Sequence, residues 1–140
     1  MKQYILDTNI WLDWLVYNDP ALTAFIRGHE EACFGIVYTT EMLTEFAIVI
    51  RRAAFKRSKT EQKALIDRFK SLATLVELPA EPIRSGLKCH DPADQIYLDA
   101  AFFLKVDGLI SKDKMVLALK NKAAKHQIWI GTPLQWLALK

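Results

Sequence analysis

Short apolar runs of strand length recur near residues 4, 35, 76, 109 and 128, with helical spacing between them, and this alternation restricts the possible folds of the chain more than any other feature. Strand and helix taken in turn from end to end imply a parallel sheet, because each return to a parallel neighbour needs a right-handed crossover that covers one face. The expected fold class is α/β: a single three-layer domain over residues 1–140, with about five parallel strands flanked by helices. No internal repeat, linker or low-complexity segment interrupts the pattern, so a second domain is not needed.

In order, Tyr4, Ile5 and Leu6 form a buried strand that runs straight into Asp7, Thr8 and Asn9. Residues 10–17 set Trp11, Leu12, Trp14, Leu15 and Val16 at helical spacing, and Asp19 before Pro20 has the form of a cap and first turn. A strand is expected over 33–38. Beyond Thr39 or Thr40 as cap, Leu43, Phe46, Ala47, Ile50 and Ala54 recur by threes and fours, with Glu41 and Glu45 on the other face of that helix. Ser58 and Glu61 make a capping box before Ala64, Leu65, Phe69 and Leu72. A strand over 74–78 is closed by Pro79 and Pro82, and 79–92 is the longest irregular stretch. Asp91 then caps a helix from Pro92 to about residue 104. A brief strand over 108–111, a lysine-rich helix over 115–125, a strand over 127–130 and a final helix capped by Thr132 with Pro133 complete the chain.

With 51% apolar and 25% charged residues the chain is not disordered. Cys33 and Cys89 lack partner spacing, which argues against a disulfide framework and for core or near-core thiols in a reducing compartment. The longest membrane candidate, 42–50, is broken by Thr44 and Glu45 and is too short to span. Asp7 and Asp13 interrupt the apolar stretch a secretory signal needs, so a cytoplasmic location without membrane attachment is expected. The net charge of +3 suits a polyanionic partner without demanding one.

The chemistry is concentrated in acids. Asp7 follows the first strand, and Asp113 follows Leu109, Ile110 and Ser111 in the same way, so both belong to the carboxyl edge of the sheet, where α/β folds place ligands. Asp94 lies in the first turn of its helix, and Glu45 one turn into a helix leaving that edge. Carboxylates gathered within about 5 Å repel by about 3 kcal/mol per pair at an effective dielectric of 20. A hard divalent cation, Mg²⁺ or Mn²⁺, offsets that repulsion, and no competing His or Cys set selects a softer metal. The chemistry such ions serve most directly is hydrolysis or transfer at a phosphodiester.

Leu6, Asp7, Thr8, Asn9, then the helix with Glu45, then Asp91, Pro92, Ala93, Asp94 leading to Ala100 and Ala101, then Leu109 to Asp113, resemble the four acidic motifs of the PIN-domain family. The resemblance covers nearly the whole chain and is strongest to the toxin components of bacterial toxin–antitoxin pairs, the VapC-like branch. It implies a metal-dependent endoribonuclease with a five-stranded parallel sheet, an RNA substrate, a cognate antitoxin and a homodimer. By position Asp7, Glu45, Asp94 and Asp113 match the acidic quartet, Asn9 matches a polar residue supporting the metal shell, and Ser111 falls where a small hydroxyl is common. His90 stands where related chains often carry a basic residue, and Met115 where many have a further acid.

Each assignment has a plainer alternative. Asp7 is well suited to cap a helix. Glu41 competes with Glu45 but is explained by the dipole at a helix start, and Asp91 competes with Asp94 but is explained as a cap with a possible outer-shell role. Asp107 is expected to close the turn before Gly108. Zinc at Cys89, His90 and Asp91 lacks the four closed ligands a structural site needs. The basic run Arg51, Arg52, Lys56, Arg57 and Lys59 is either an RNA track or a solvated helix end, whereas Lys112 and Lys114 flank Asp113 and are the better candidates for substrate phosphate. Trp11 and Trp14 are expected in the core or an interface rather than stacked on bases. Two other functions fit the acids: a non-catalytic PIN-like module that binds RNA or protein, and a magnesium-dependent phosphatase-like domain that forms an aspartyl-phosphate.

Overall fold

A computed structural model describes residues 1–83 and 86–139. Five strands, β1 (Lys2–Leu6), β2 (Phe34–Tyr38), β3 (Thr74–Leu75), β4 (Gly108–Ile110) and β5 (Trp129–Gly131), form one sheet in the order β3-β2-β1-β4-β5. Every neighbouring pair is parallel, with Tyr4 opposite both Ile36 and Gly108. Helices α1 (Thr8–Leu15), α2 (Thr23–Glu30), α3 (Thr40–Ile50), α4 (Lys59–Leu72), α5 (Pro92–Leu104), α6 (Lys114–Leu117), α7 (Lys120–Ala124) and α8 (Pro133–Leu137) flank it. The expected five-stranded parallel α/β fold is the observed one.

Strand order explains where the ligand edge lies. From β1 the chain moves to β2 and β3 on one side, then returns past β1 to β4 and β5 on the other. The direction of winding therefore reverses between β1 and β4, and the loops leaving their carboxyl ends diverge and open a crevice. The Asp7 amide donates to the Ile110 carbonyl at 3.0 Å, which holds the two ends together.

Burial follows the apolar pattern of the sequence. Ile5, Leu109, Ile110 and Ile130 are fully buried, as a sheet covered on both faces requires. Where α1, α3 and α4 pack together, Trp11 stacks on Trp14, Phe69 lies 4.1 Å from the Trp11 ring, and Phe46 joins them. A second aromatic group, Tyr4, Phe25, Phe34 and Trp136, fills the space where α2 meets α8. Among the described residues no helix is long and apolar enough to cross a membrane.

Several boundaries differ from expectation. The third strand pairs only over Thr74–Leu75, with the Val76 amide adding one bond to the Tyr38 carbonyl, because an edge strand has one partner and Pro79 follows closely. The lysine-rich helix is two helices, since the Leu119 amide closes a tighter turn on the Val116 carbonyl and buries Leu119 between them. Helix α3 ends at Ile50, so Ala54 is exposed in a 3₁₀ turn, Ala53–Phe55, and Met42 takes the core place. Cys33 is exposed rather than near the core, because β2 begins one residue later, after the turn at Ala32 with φ 58°. Asp107 does more than close a turn: its Oδ2 accepts from the Gln3 amide at 2.8 Å and ties β1 to the start of β4. Of the irregular stretch 79–92, Arg84 and Ser85 lie outside the described residues.

Candidate metal and nucleic-acid site

Asp7, Glu45, Asp94 and Asp113 all line one cleft of about 540 Å³, together with Asn9 and Asp91. Four different elements deliver the quartet. Asp7 ends β1, Asp113 lies just beyond β4, Asp94 sits in the first turn of α5, and Glu45 projects from α3.

Asp7 occupies the N-cap position of α1, yet its side chain makes no capping bond; Ser111 Oγ instead donates to Asp7 Oδ2 at 2.8 Å. The same hydroxyl oxygen accepts from the Asp113 amide at 3.0 Å. Ser111 is fully buried and couples the two strand ends through one hydroxyl. Burial holds the Asp7 carboxyl above its ordinary range, the Glu45 charge adds to this, and the Ser111 hydrogen bond acts against it.

Asp94 is pushed up to about 7, first by burial, then by the negative charges of Asp7, Asp113 and Asp91, and last by a hydrogen bond that its protonated form shares with the Asp113 carboxyl. It is 8% exposed, and its Oδ2 is buried without a hydrogen-bond partner. A buried, unpartnered carboxylate oxygen in a ring of other carboxylates is an unfavourable arrangement that a cation would relieve. The donor set is all oxygen, which fits a hard divalent ion and not a thiophilic one. Asp113 already caps α6, Oδ1 accepting from the Met115 amide at 2.8 Å, and Asp91 caps α5 by accepting from Ala93 at 2.9 Å. As the side chains lie, no three His, Cys, Asp or Glu among the described residues form a finished cation cage, neither in the quartet nor at Cys89, His90 and Asp91.

Glu45 is held from a direction the sequence pattern does not reveal. Tyr97 donates to Glu45 Oε2 at 2.6 Å, and the phenol oxygen is also paired with the Thr8 hydroxyl. Tyr97 stands three residues after Asp94, so the spacing places both on one face of α5, but an aromatic in an apolar helix is ordinarily read as core. Burial, then the Glu45 acceptor, raises the Tyr97 phenol far above its ordinary range and keeps it a donor.

Basic and aromatic groups border the acids. Arg52 and Lys112 line the cleft, whereas Arg51 and Lys114 are exposed outside it. Lys112 Nζ forms an ion pair with Asp13 at 2.7 Å, and Asp13 is buried within α1. An acid set among Trp11, Leu12, Trp14 and Leu15 was the signal for that pair. Trp11 and Trp14 are buried in the core, while Tyr17 and Phe55 line the cleft. Glu41 is exposed and lies outside the acidic cleft, in a smaller neighbouring groove along α3 that Glu45 and Arg52 also border.

The PIN domain family model matches residues 3–115, so the chain belongs to the PIN-domain family. No curated protein sequence matches it. Among solved structures it is similar to VapBC2 from Rickettsia felis, crystallised bound to a DNA fragment from their promoter, with a TM-score of 0.66 and 15% identity. That likeness covers 92% of this chain and 98% of the other, and it establishes the shared fold.

Proposed function

We propose that the chain is a Mg²⁺- or Mn²⁺-dependent endoribonuclease and the toxin of a toxin–antitoxin pair. The observation that carries this reading is the cleft at the β1/β4 edge, where four carboxylates from four elements meet and a buried Asp94 oxygen has no partner. The likeness to a VapBC complex supports an antitoxin as partner.

In this reading Asp7, Asp94 and Asp113 hold the cation, and Glu45 faces them from α3, where it binds a second ion or positions water. A hard divalent ion held by these oxygens would supply an activated water and charge compensation at the leaving oxygen. Ser111 fixes the Asp7 rotamer, Tyr97 fixes Glu45, and Asn9 supports the metal shell at the mouth. Asp13 holds the Lys112 ammonium beside the acids, where it and Arg52 meet substrate phosphates. Without such cations on the wall, an acid-lined cleft would repel a polyanion.

Asp7→Asn tests the reading. Cleavage of a labelled RNA with Mg²⁺ is expected to fall at least about 100-fold, because a charged ligand becomes neutral. The metal-free fold is expected to be as stable as the parent or more so, since one of several repelling charges is gone. A folded Asp7→Asn protein that cuts RNA at the parent rate overturns the assignment. Metal-dependent RNA binding without product would point to a binding module instead.

A further inference from the structure

Two aromatic side chains from separate elements meet beside the acids. Tyr17 follows α1, where the amides of Val16 and Tyr17 both donate to the Leu12 carbonyl at 2.9 Å and Asn18 takes φ 49°, so the helix ends sharply. Phe55 closes the 3₁₀ turn after α3, its amide donating to the Arg52 carbonyl at 3.0 Å. Their ring centroids are 6.1 Å apart with planes at 42°, and both rings line the cleft that holds Asp7, Glu45 and Asp94.

Tyr17 is 60% exposed, whereas Trp11 and Trp14 in the preceding helix are 2% and 3% exposed. A ring so open does little as a brace between α1 and the turn. It does offer a π-face, backed by Phe55 and held on a backbone already fixed by hydrogen bonds. Arg52 and Lys112 share its cleft. An open aromatic face next to cations is the combination that holds single-stranded nucleic acid: bases stack on the rings while the backbone follows the positive charge. A duplex keeps its base faces stacked internally and cannot use such a platform.

We propose that Tyr17, backed by Phe55, is a nucleobase-stacking subsite beside the acidic cleft. The proposal deepens the nuclease reading and rests on it for the identity of the strand. Stacking contributes through the base and not the phosphate, so the subsite makes binding depend on the presence of one particular base.

The test uses the Asp7→Asn protein with Mg²⁺, so that RNA is not consumed during measurement, and fluorescence anisotropy of a short labelled oligoribonucleotide. Adding Tyr17→Ala is expected to weaken binding about 5- to 100-fold, and Tyr17→Phe to retain it. In a series of oligonucleotides each carrying one abasic nucleotide, one position is expected to weaken binding to the protein that keeps Tyr17 and to have no further effect once Tyr17→Ala is introduced. The fully paired duplex is expected to bind more weakly than the single strand. Equal affinity with and without Tyr17→Ala, or an abasic penalty unchanged by the substitution, overturns the subsite. Cleavage by the protein that keeps Asp7, assayed separately, distinguishes the two failures: RNA cut at a rate indifferent to Tyr17→Ala removes the subsite alone, whereas Tyr17-dependent binding with no metal-dependent product removes the nuclease reading and leaves the subsite.

Discussion

The Tyr97 hydroxyl joins Glu45 to Thr8 while its ring, 1% exposed, fills the core beneath them. Tyr97→Phe removes the oxygen and keeps the ring, so it separates orientation of Glu45 from packing. In the nuclease reading kcat is expected to fall about 10- to 100-fold with KM little changed, because Glu45 keeps its charge but loses its fixed rotamer. The stability cost is expected near 1 kcal/mol, about that of one buried hydrogen bond. Steady-state kinetics beside a thermal melt decide it; unchanged kcat in a folded protein removes Tyr97 from the machinery. Single residues were legible in the sequence to the extent that their neighbours made a pattern. Asp7 and Asp113 stand out because apolar strands end on them. Tyr97 carries no such marker, because a tyrosine inside an apolar helix has the same local signature whether it faces core or cleft, and only the packing of α5 against α3 settles which.

At the level of elements, caps decide how the acids are presented. Asp91 caps α5, whose first turn carries Asp94, and this follows from an acid placed before a proline at the helix start. Asp91→Ala is expected to lose about 0.5–2 kcal/mol of stability, whereas Asp91→Asn, an equally good cap, is expected to stay near the parent. In the nuclease reading RNA cleavage is expected to follow the same order, with Asn retaining most activity, if Asp91 acts by setting the helix start. Loss of activity in the Asn form with stability intact would make the Asp91 charge itself part of the metal shell. The capping box at Ser58 and the cap at Thr132 were likewise readable in advance, since each is a local pattern, and the structure adds Gln135 to the second as its reciprocal partner. The short β3 and the break between α6 and α7 were not, because an edge strand and a kinked helix are set by what packs on them rather than by their own spacing.

For the molecule as a whole, the parallel order was legible because alternation and handedness leave few topologies, and the reversal of winding between β1 and β4 then fixes where the carboxylates gather. That placement has a thermodynamic consequence for the metal-free protein. Asp7 and Asp94 bind protons more tightly folded than unfolded, Asp94 at about 7 against an ordinary 3.8, so between these values the native state holds more protons than the unfolded chain. Stability therefore falls as pH rises from about 4 to about 7, and the loss is complete above the folded value. Its expected size is about 1–2 kcal/mol, less than the full displacement implies because the open cleft admits water and salt. A cation bound among the same oxygens favours the charged forms and reverses the trend: at neutral pH, Mg²⁺ at about 100 times its Kd is expected to add about 2.7 kcal/mol, raising Tm in proportion to the logarithm of its concentration. Urea titrations from about pH 5 to 8, with EDTA and with Mg²⁺, measure both effects, and Asp94→Asn should flatten the first and abolish most of the second. Equal stabilisation of the parent and Asp94→Asn by Mg²⁺ would place the ion elsewhere on the protein.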